Sequence, residues 1–458
     1  MNLRFAALVV VVFAASCVVP GGATARPYTL DGPRAISGPS PFAAGCPSAR
    51  LDATAIAGHE LETAVTVNRA NPRNIVASWK QDVGPNTTRS DLVASSLDGG
   101  KTWARSTIPG LTVCTGGTAD AGSDPWVSTD RGGTVYFAGL SAVLSADDPP
   151  RAIVASRSAD GGRTWPAPVA LVPPGLNEQP AITGSPTRRG RAYAVWADFG
   201  RSDLRLSRTT DGGATWSPPV VIHRAGRAAR DQTPRLLILP NGTLLTVFAR
   251  GDEQRGVGEL YATRSRDDGR TWRPAVRFFS KRLQSFRDDK GTELPIPQYP
   301  SAAVAPDGTV YVTVEAPRSA RSGAIAMARS RDGGRTWKTG TLPGVRTYAF
   351  EPAIAVDSRG TVAVTWYDLR NDRRGDAPLT ADVWFAHSHN RGASWQQRHV
   401  AGPTDLRTAP LPAHNYVGEY QGLAPLGRRG FAATFTLASP QAQDGPTDIF
   451  YAGLRPRR

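Results

Sequence analysis

Apolar residues in this chain fall in short bursts broken by Gly, Pro, Asn and Asp, a rhythm that predicts strands and turns in place of helices. Seven such units follow one another, each a polar or acidic residue, often with proline, then an apolar strand, a turn and a second strand. They begin at Glu62 (ETAVTVNRANPRNIVASW), Asp124 (DPWVSTDRGGTVYFAGL), Glu178 (EQPAITGSPTRRGRAYAVW) and Asp231 (DQTPRLLILPNGTLLTVF). The others begin at Gln298 (QYPSAAVAPDGTVYVTV), Glu351 (EPAIAVDSRGTVAVTW) and Glu419 (EYQGLAPLGRRGFAATF). An acid therefore opens six of the seven units.

A second repeat, SxDGGxTW, follows each of the first six units: Ser96 to Trp103, Ser158 to Trp165, Thr209 to Trp216, Ser265 to Trp272, Ser330 to Trp337, and Ser388 to Trp395, where Asn390 replaces the aspartate. The copies recur every 51 to 65 residues, the period of a four-stranded propeller blade. Gly supplies the positive φ of a tight corner, and the Asp and Ser/Thr side chains cap nearby backbone N–H groups. The trailing Trp offers an apolar plate to the outer strand. These residues read as scaffold.

The chain is long enough, at 458 residues, for two or three ordinary domains, but the repeat runs from about residue 60 to the end and predicts one closed domain. The fold class is all-β: a β-propeller of four-stranded antiparallel blades, seven preferred and six the alternative. The seventh unit stops after its third strand, DIFYAGL. Its open edge needs a cover, and the N-terminal arm, near Arg26 to Leu30, is the natural supplier. The expected division is a signal peptide over 1–25, an arm with the closing strand over 26–61, and the propeller over 62–458.

The SxDGGxTW turns join third to fourth strands, so they share a face with the first turn of each blade. Strand starts and second-to-third loops gather on the opposite face, around the channel, where a site can form. Those loops vary from blade to blade, as in KQDVGPNTTRSD, ARGDEQRGVGE and YDLRNDRRGDAPLTAD. They are expected to bring Arg250, Arg255, Arg318, Arg321 and Arg370 to one cavity with Glu178, Asp231, Glu351, Glu419, Asp82 and Asp368. Converging guanidiniums suit an anionic ligand. Competing local roles exist: the acids also fit as backbone caps or channel ion pairs, and Arg370 has Asp368 and Asp372 beside it. Tyr420, His414, Tyr416, His59 and Tyr367 are specific to single units.

Composition adds three expectations. Arg4, the apolar run Phe5 to Phe13 and Ala23-Thr24-Ala25 fit a secretory signal, with lipid anchoring at Cys17 the alternative; the run is too short to span a bilayer. Secretion would leave Cys46 and Cys114, a pair expected to form a disulfide. The net charge of +15 comes almost wholly from arginine and favours acidic glycans or cell-envelope polymers. No nucleic-acid motif stands out, and the chain is expected to be a monomer. No cofactor or metal is implied, because no His or Asp ligand pattern stands out.

The SxDGGxTW turns resemble the Asp-box (bacterial neuraminidase) repeats of the sialidase superfamily, over roughly residues 60–455. The resemblance implies an exo-sialidase-like glycoside hydrolase with a tyrosine nucleophile, one of the exceptions to the two-carboxylate pattern. Carried onto matching segments, it places the nucleophile at Tyr420, aided by Glu351 or Asp231, and the leaving-group acid at Asp82. It gives Arg250 and Arg370 the substrate carboxylate, with Arg255 and Asp368 nearby. The family's first-blade Arg-Ile-Pro is absent, replaced by Glu62-Thr63-Ala64, and the glutamate supporting that arginine is replaced around Thr436. A non-catalytic propeller that binds glycan or envelope polymer is the alternative.

Overall fold

The computed structural model describes residues 27–457 apart from 43–45, 47–54, 84–87, 145–149, 227–228, 253–255, 288–292, 295–298, 320, 374, 410–416, 429 and 439. The signal-like segment, Arg255, His414 and Tyr416 lie outside the described residues.

Seven four-stranded antiparallel sheets follow one another along the chain, and contacts between successive sheets close them into a ring. The inner strands are Glu60–Val67, Ala121–Thr129, Asn177–Gly184, Arg230–Ile238, Ser301–Val304, Ala349–Val356 and Gly422–Pro425. Each opens one blade, I to VII. The core lies between blades: Ala64, Val76 and Val93 of blade I pack on Val127, Phe137 and Trp165 of blade II. Middle strands, covered on both faces, read as unbroken buried runs, as in Ile75–Asp82 and Val362–Asp368.

Blade VII takes its outer strand from the N-terminal arm. Tyr28–Ala35 pairs antiparallel with Thr447–Pro456, so the edge left by the missing fourth strand is filled. Glu60 and Thr447 exchange backbone and hydroxyl hydrogen bonds of 2.8 Å across the seam between blades I and VII. Cys46 and Cys114 are disulfide-bonded, tying the arm to the segment after blade I.

The repeated turns act as expected. In blade I, Asp98 Oδ1 accepts the N–H groups of Lys101 and Thr102, both at 3.0 Å, and Oδ2 accepts the Thr102 hydroxyl at 2.7 Å. Trp103 Nε1 donates to Gly100 O at 3.2 Å. These donors hold the exposed Asp98 carboxyl well below the usual carboxylate range. Where Asn390 stands, its carbonyl still accepts Ser394 N–H at 2.9 Å. The second glycine has a further role that the sequence did not reveal. Gly100 has φ +91° and lies against the Tyr451 ring, where a Cβ would come within 2.4 Å. The corner is therefore an inter-blade contact as well as a turn.

Asn74 Nδ2, from the first turn of blade I, donates to Gly161 O of the blade II corner at 2.9 Å. The corners and first turns thus share one face, and the strand starts occupy the other.

Candidate functional site

Five of the seven inner strands begin with a kink that the period-2 pattern does not reveal. Pairing with the second strand slips by one residue, two inner-strand residues facing one on the partner, between Leu61 and Ala64, Ser123 and Trp126, Glu178 and Ala181, Gln232 and Arg235, and Phe350 and Ala353. The first residue in each slip is left-handed without being glycine: Glu62 (φ 60°), Asp124 (56°), Gln179 (55°), Thr233 (52°) and Glu351 (48°). Such conformations are costly for side chains other than Gly, Asn and Asp, and they cluster at functional sites. In blades V and VII pairing begins at Ser301 and Gly422, so the matching positions are Tyr299 and Tyr420. The ring is Glu62, Asp124, Gln179, Thr233, Tyr299, Glu351 and Tyr420.

Two residues further in, where pairing resumes, the series reads Ala64, Trp126, Ala181, Arg235, Ser301, Ala353 and Gly422. Five are small and two are large. The Arg235 guanidinium lies 4.2 Å from the Trp126 ring centroid, 5.6 Å from Tyr299 and 5.9 Å from Tyr420. It donates to Pro234 O at 3.2 Å and pairs with no carboxylate among the described residues. A cavity of about 110 Å³ adjoins it, lined by Tyr299, Tyr420, Glu351 and Glu419.

Carboxyls crowd this aromatic and cationic centre. Burial, with repulsion from Glu62 and Asp124, pushes Glu419 up to about 8, and the Tyr299 hydroxyl engages it. Burial and repulsion from Asp124 likewise raise Glu178 to about 8 even though Arg151 lies 2.9 Å away. Asp124 is pushed up to about 6, first by burial and then by Glu62. Burial and neighbouring acids raise Asp91 and Glu351 well above the carboxylate range. Lys80 meets Glu62 at 2.7 Å; burial opposes its charge most strongly, but Glu62 and Asp82 together prevail and the Lys80 pKa is raised. At neutral pH several of these acids therefore hold protons and can donate hydrogen bonds.

The expected residues divide accordingly. Glu351 and Tyr420 belong to the ring and line the same cavity. Burial, with Glu62 and Asp124 close by, holds the Tyr420 phenol well above its ordinary pKa, and its hydroxyl lies 3.4 Å from Pro125 O. Asp231 does not join them: two residues ahead of the ring position, it is gripped by His223 Nδ1 at 2.6 Å and Arg250 Nε at 2.7 Å. Arg250 faces Asp231 across the strand pair and stacks 4.5 Å from the Tyr261 centroid. Arg370 is held by Asp368 and lies 3.7 Å over the Trp384 ring, while Asp368 also accepts Trp366 Nε1 at 2.9 Å. Neither arginine lines the cavity with Tyr420. Each guanidinium instead has a carboxylate partner within its own blade.

Asp82 is buried at the end of Ile75–Asp82, accepting Ile56 N–H at 3.0 Å, with His59 3.5 Å and Arg89 3.8 Å away. Burial works against its charge, but His59 and Arg89 prevail and its pKa is lowered. An acid held ionised is a poor donor to a leaving group.

Trp126, Arg235, Tyr299, Lys80 and Asp91 were not singled out from the sequence. Aligning the units on the first paired residue, and not on the opening acid, marks Trp126 and Arg235 as two bulky residues in a column of small ones.

No protein-family model matches the chain. A sialidase from Bacteroides fragilis (strain YCH46) is 25% identical over 218 residues, 42% of this chain and 38% of the relative. The chain thus spans about two fifths of the length of that curated relative. A protein of unknown function from Dyadobacter fermentans superposes with TM-score 0.50 at 15% identity, covering 90% of this chain and 97% of that one. An ulvan lyase bound to a glucuronate–rhamnose sulfate saccharide gives TM-score 0.51 at 12% identity, covering 88% and 96%. A Hadza microbial sialidase gives 0.49 at 16%, covering 80% and 73%. In architecture the chain is a sialidase-like seven-bladed propeller, and the starts of its inner strands form a carboxyl-rich axial ring.

Proposed function

We propose that the chain is a glycoside hydrolase acting at the axial ring, with a neutral glycosyl unit in the position that a sialic acid takes in the family it resembles. The carrying observation is the charge census. A carboxylate sugar calls for several free guanidiniums, but Arg250 and Arg370 are consumed by Asp231 and Asp368. Among the described residues the cations at the centre are Arg235, Lys80 and Arg151, the last held by Glu178, against Glu62, Asp91, Asp124, Glu178, Glu351 and Glu419. Protonated carboxyls and aromatic faces suit sugar hydroxyls and ring C–H edges. The acidic substrate expected from net charge is thus disfavoured at this site.

In this reading Glu419, half-buried at the rim and protonated up to about 8, donates to the leaving oxygen. Tyr420 attacks the anomeric carbon, with Glu62 or Asp124 taking the phenolic proton. A non-catalytic glycan binder is the second reading, favoured by the Tyr420 hydroxyl facing a carbonyl at 3.4 Å in place of a carboxylate. Extracellular action accords with the signal-like N-terminus, and no helix among the described residues is long and apolar enough to cross a membrane.

A panel of 4-methylumbelliferyl glycosides, neutral hexosides and pentosides beside a sialoside, tests both. Turnover of a neutral glycoside, lost in Tyr420→Phe and Glu419→Gln, supports the hydrolase. Turnover of the sialoside alone overturns the neutral-substrate assignment. Glycan binding without turnover of any member favours the binder.

A further inference from the structure

The channel has a second mouth, on the face of the repeated corners, and its chemistry is the reverse of the first. A cavity of about 520 Å³ opens there on the axis, bounded by the first turns of several blades. Its size lies within the usual range of small-ligand sites. Pro72, Pro186, Pro240 and Pro306 form an apolar rim, and Asn68, Thr187 and Ser358 add polar groups. Arg69 and Arg428 also line it. Neither has a hydrogen bond or ion pair among the described residues.

Solvent reaches Arg69 along the channel, yet protein crowds it enough for desolvation to lower its pKa. The single lining carboxylate, Asp357, is buried, and its Oδ1 accepts the N–H groups of Arg359 and Thr361, both at 2.9 Å. It serves its own turn and leaves the guanidiniums unopposed. The carboxylates that hold Arg151, Arg205, Arg250 and Arg370 in their own blades have no counterpart beside Arg69 and Arg428 among the described residues.

We propose that this mouth is a second ligand site, which holds the anionic group of a carboxylated or sulfated saccharide between Arg69 and Arg428 while the proline rim covers the sugar ring. The site is independent of the axial ring and of whatever the ring cleaves.

The test is titration calorimetry of the whole chain with tetragalacturonate, a sulfated tetrasaccharide, maltotetraose and polyphosphate. The two anionic saccharides are expected to bind, more weakly as salt rises, and the neutral one is not. Arg69→Gln and Arg428→Gln should each weaken binding about tenfold, the loss of one charge-assisted contact. Both positions are solvent-accessible, and unchanged thermal unfolding confirms that the variants fold. Turnover at the axial ring should also be unchanged, which separates this site from that reading. Equal binding by wild type and the double variant overturns the proposal, as does no binding of either anionic saccharide. Polyphosphate binding in preference to both saccharides overturns the saccharide assignment.

Discussion

Glu60 offers the sharpest test of how the ring is closed. It begins the first inner strand at the seam with blade VII, 1% exposed, with Gln81 Nε2 donating to its carboxyl at 2.7 Å. Burial and, to a lesser extent, repulsion by Asp448 push it up to about 8 from an ordinary 4.5. Below 4.5 both folded and unfolded chains hold the proton and the group is silent. Between 4.5 and 8 the unfolded chain releases it while the fold retains it, so stability falls as pH rises. Above 8 the loss is complete. The interval, 8 − 4.5 = 3.5, corresponds to about 5 kcal/mol at 1.36 kcal/mol per unit, an upper bound that water entering the seam would reduce. Glu60→Gln keeps the acceptor for Gln81 and removes the titration. Urea unfolding of both proteins from pH 4 to 9 should show the variant gaining on wild type by at least about 2 kcal/mol across that window, and by nothing below it. A difference that stays flat with pH refutes the assignment of a buried, protonated Glu60.

Four further outcomes follow from the same geometry. Gly100→Ala places a Cβ 2.4 Å from the Tyr451 ring at φ +91° and should cost about 3 kcal/mol, read by thermal unfolding and partly recovered by Tyr451→Leu. Cys46→Ser opens a cross-link spanning 68 residues and should lose about 4 kcal/mol on the chain-entropy account, measured by denaturant titration. Arg250→Met and Arg370→Met should lower the melting temperature by leaving Asp231 and Asp368 buried without their guanidinium partners, while leaving KM for a turned-over glycoside unchanged; a raised KM would return these arginines to the site. Activity should decline as pH rises through about 8, where Glu419 loses its proton, and a pH–rate profile without that limb removes Glu419 as the acid.

The blade count and the closing strand were legible in the sequence because they rest on local chemistry. Six corner motifs and seven strand–turn–strand units give the number of blades, and a last unit lacking its fourth strand predicts the N-terminal cover that Tyr28–Ala35 provides. The pairing of Cys46 with Cys114 followed from arithmetic, since two cysteines outside the signal-like segment have one way to pair. Glu351 was marked because it opens a unit, and Tyr420 because it follows Glu419 in the segment that resembles the one bearing the family's nucleophile.

The partners of the arginines and the register of the ring were not legible in the sequence. The opening residue looked like the equivalent position in every blade, but alignment on the first paired residue puts the ring at Gln179, Thr233, Tyr299 and Tyr420 in four of them. That shift takes Asp231 away from the axis and into the grip of Arg250 and His223. The sequence by itself determined the repeat, the strand order and the closure, because hydrogen-bonding turns and apolar alternation act over a few residues. Tertiary structure alone decided which charges meet. A guanidinium takes the nearest carboxylate in space, and that neighbour depends on bulges and cross-strand register that no single repeat reveals.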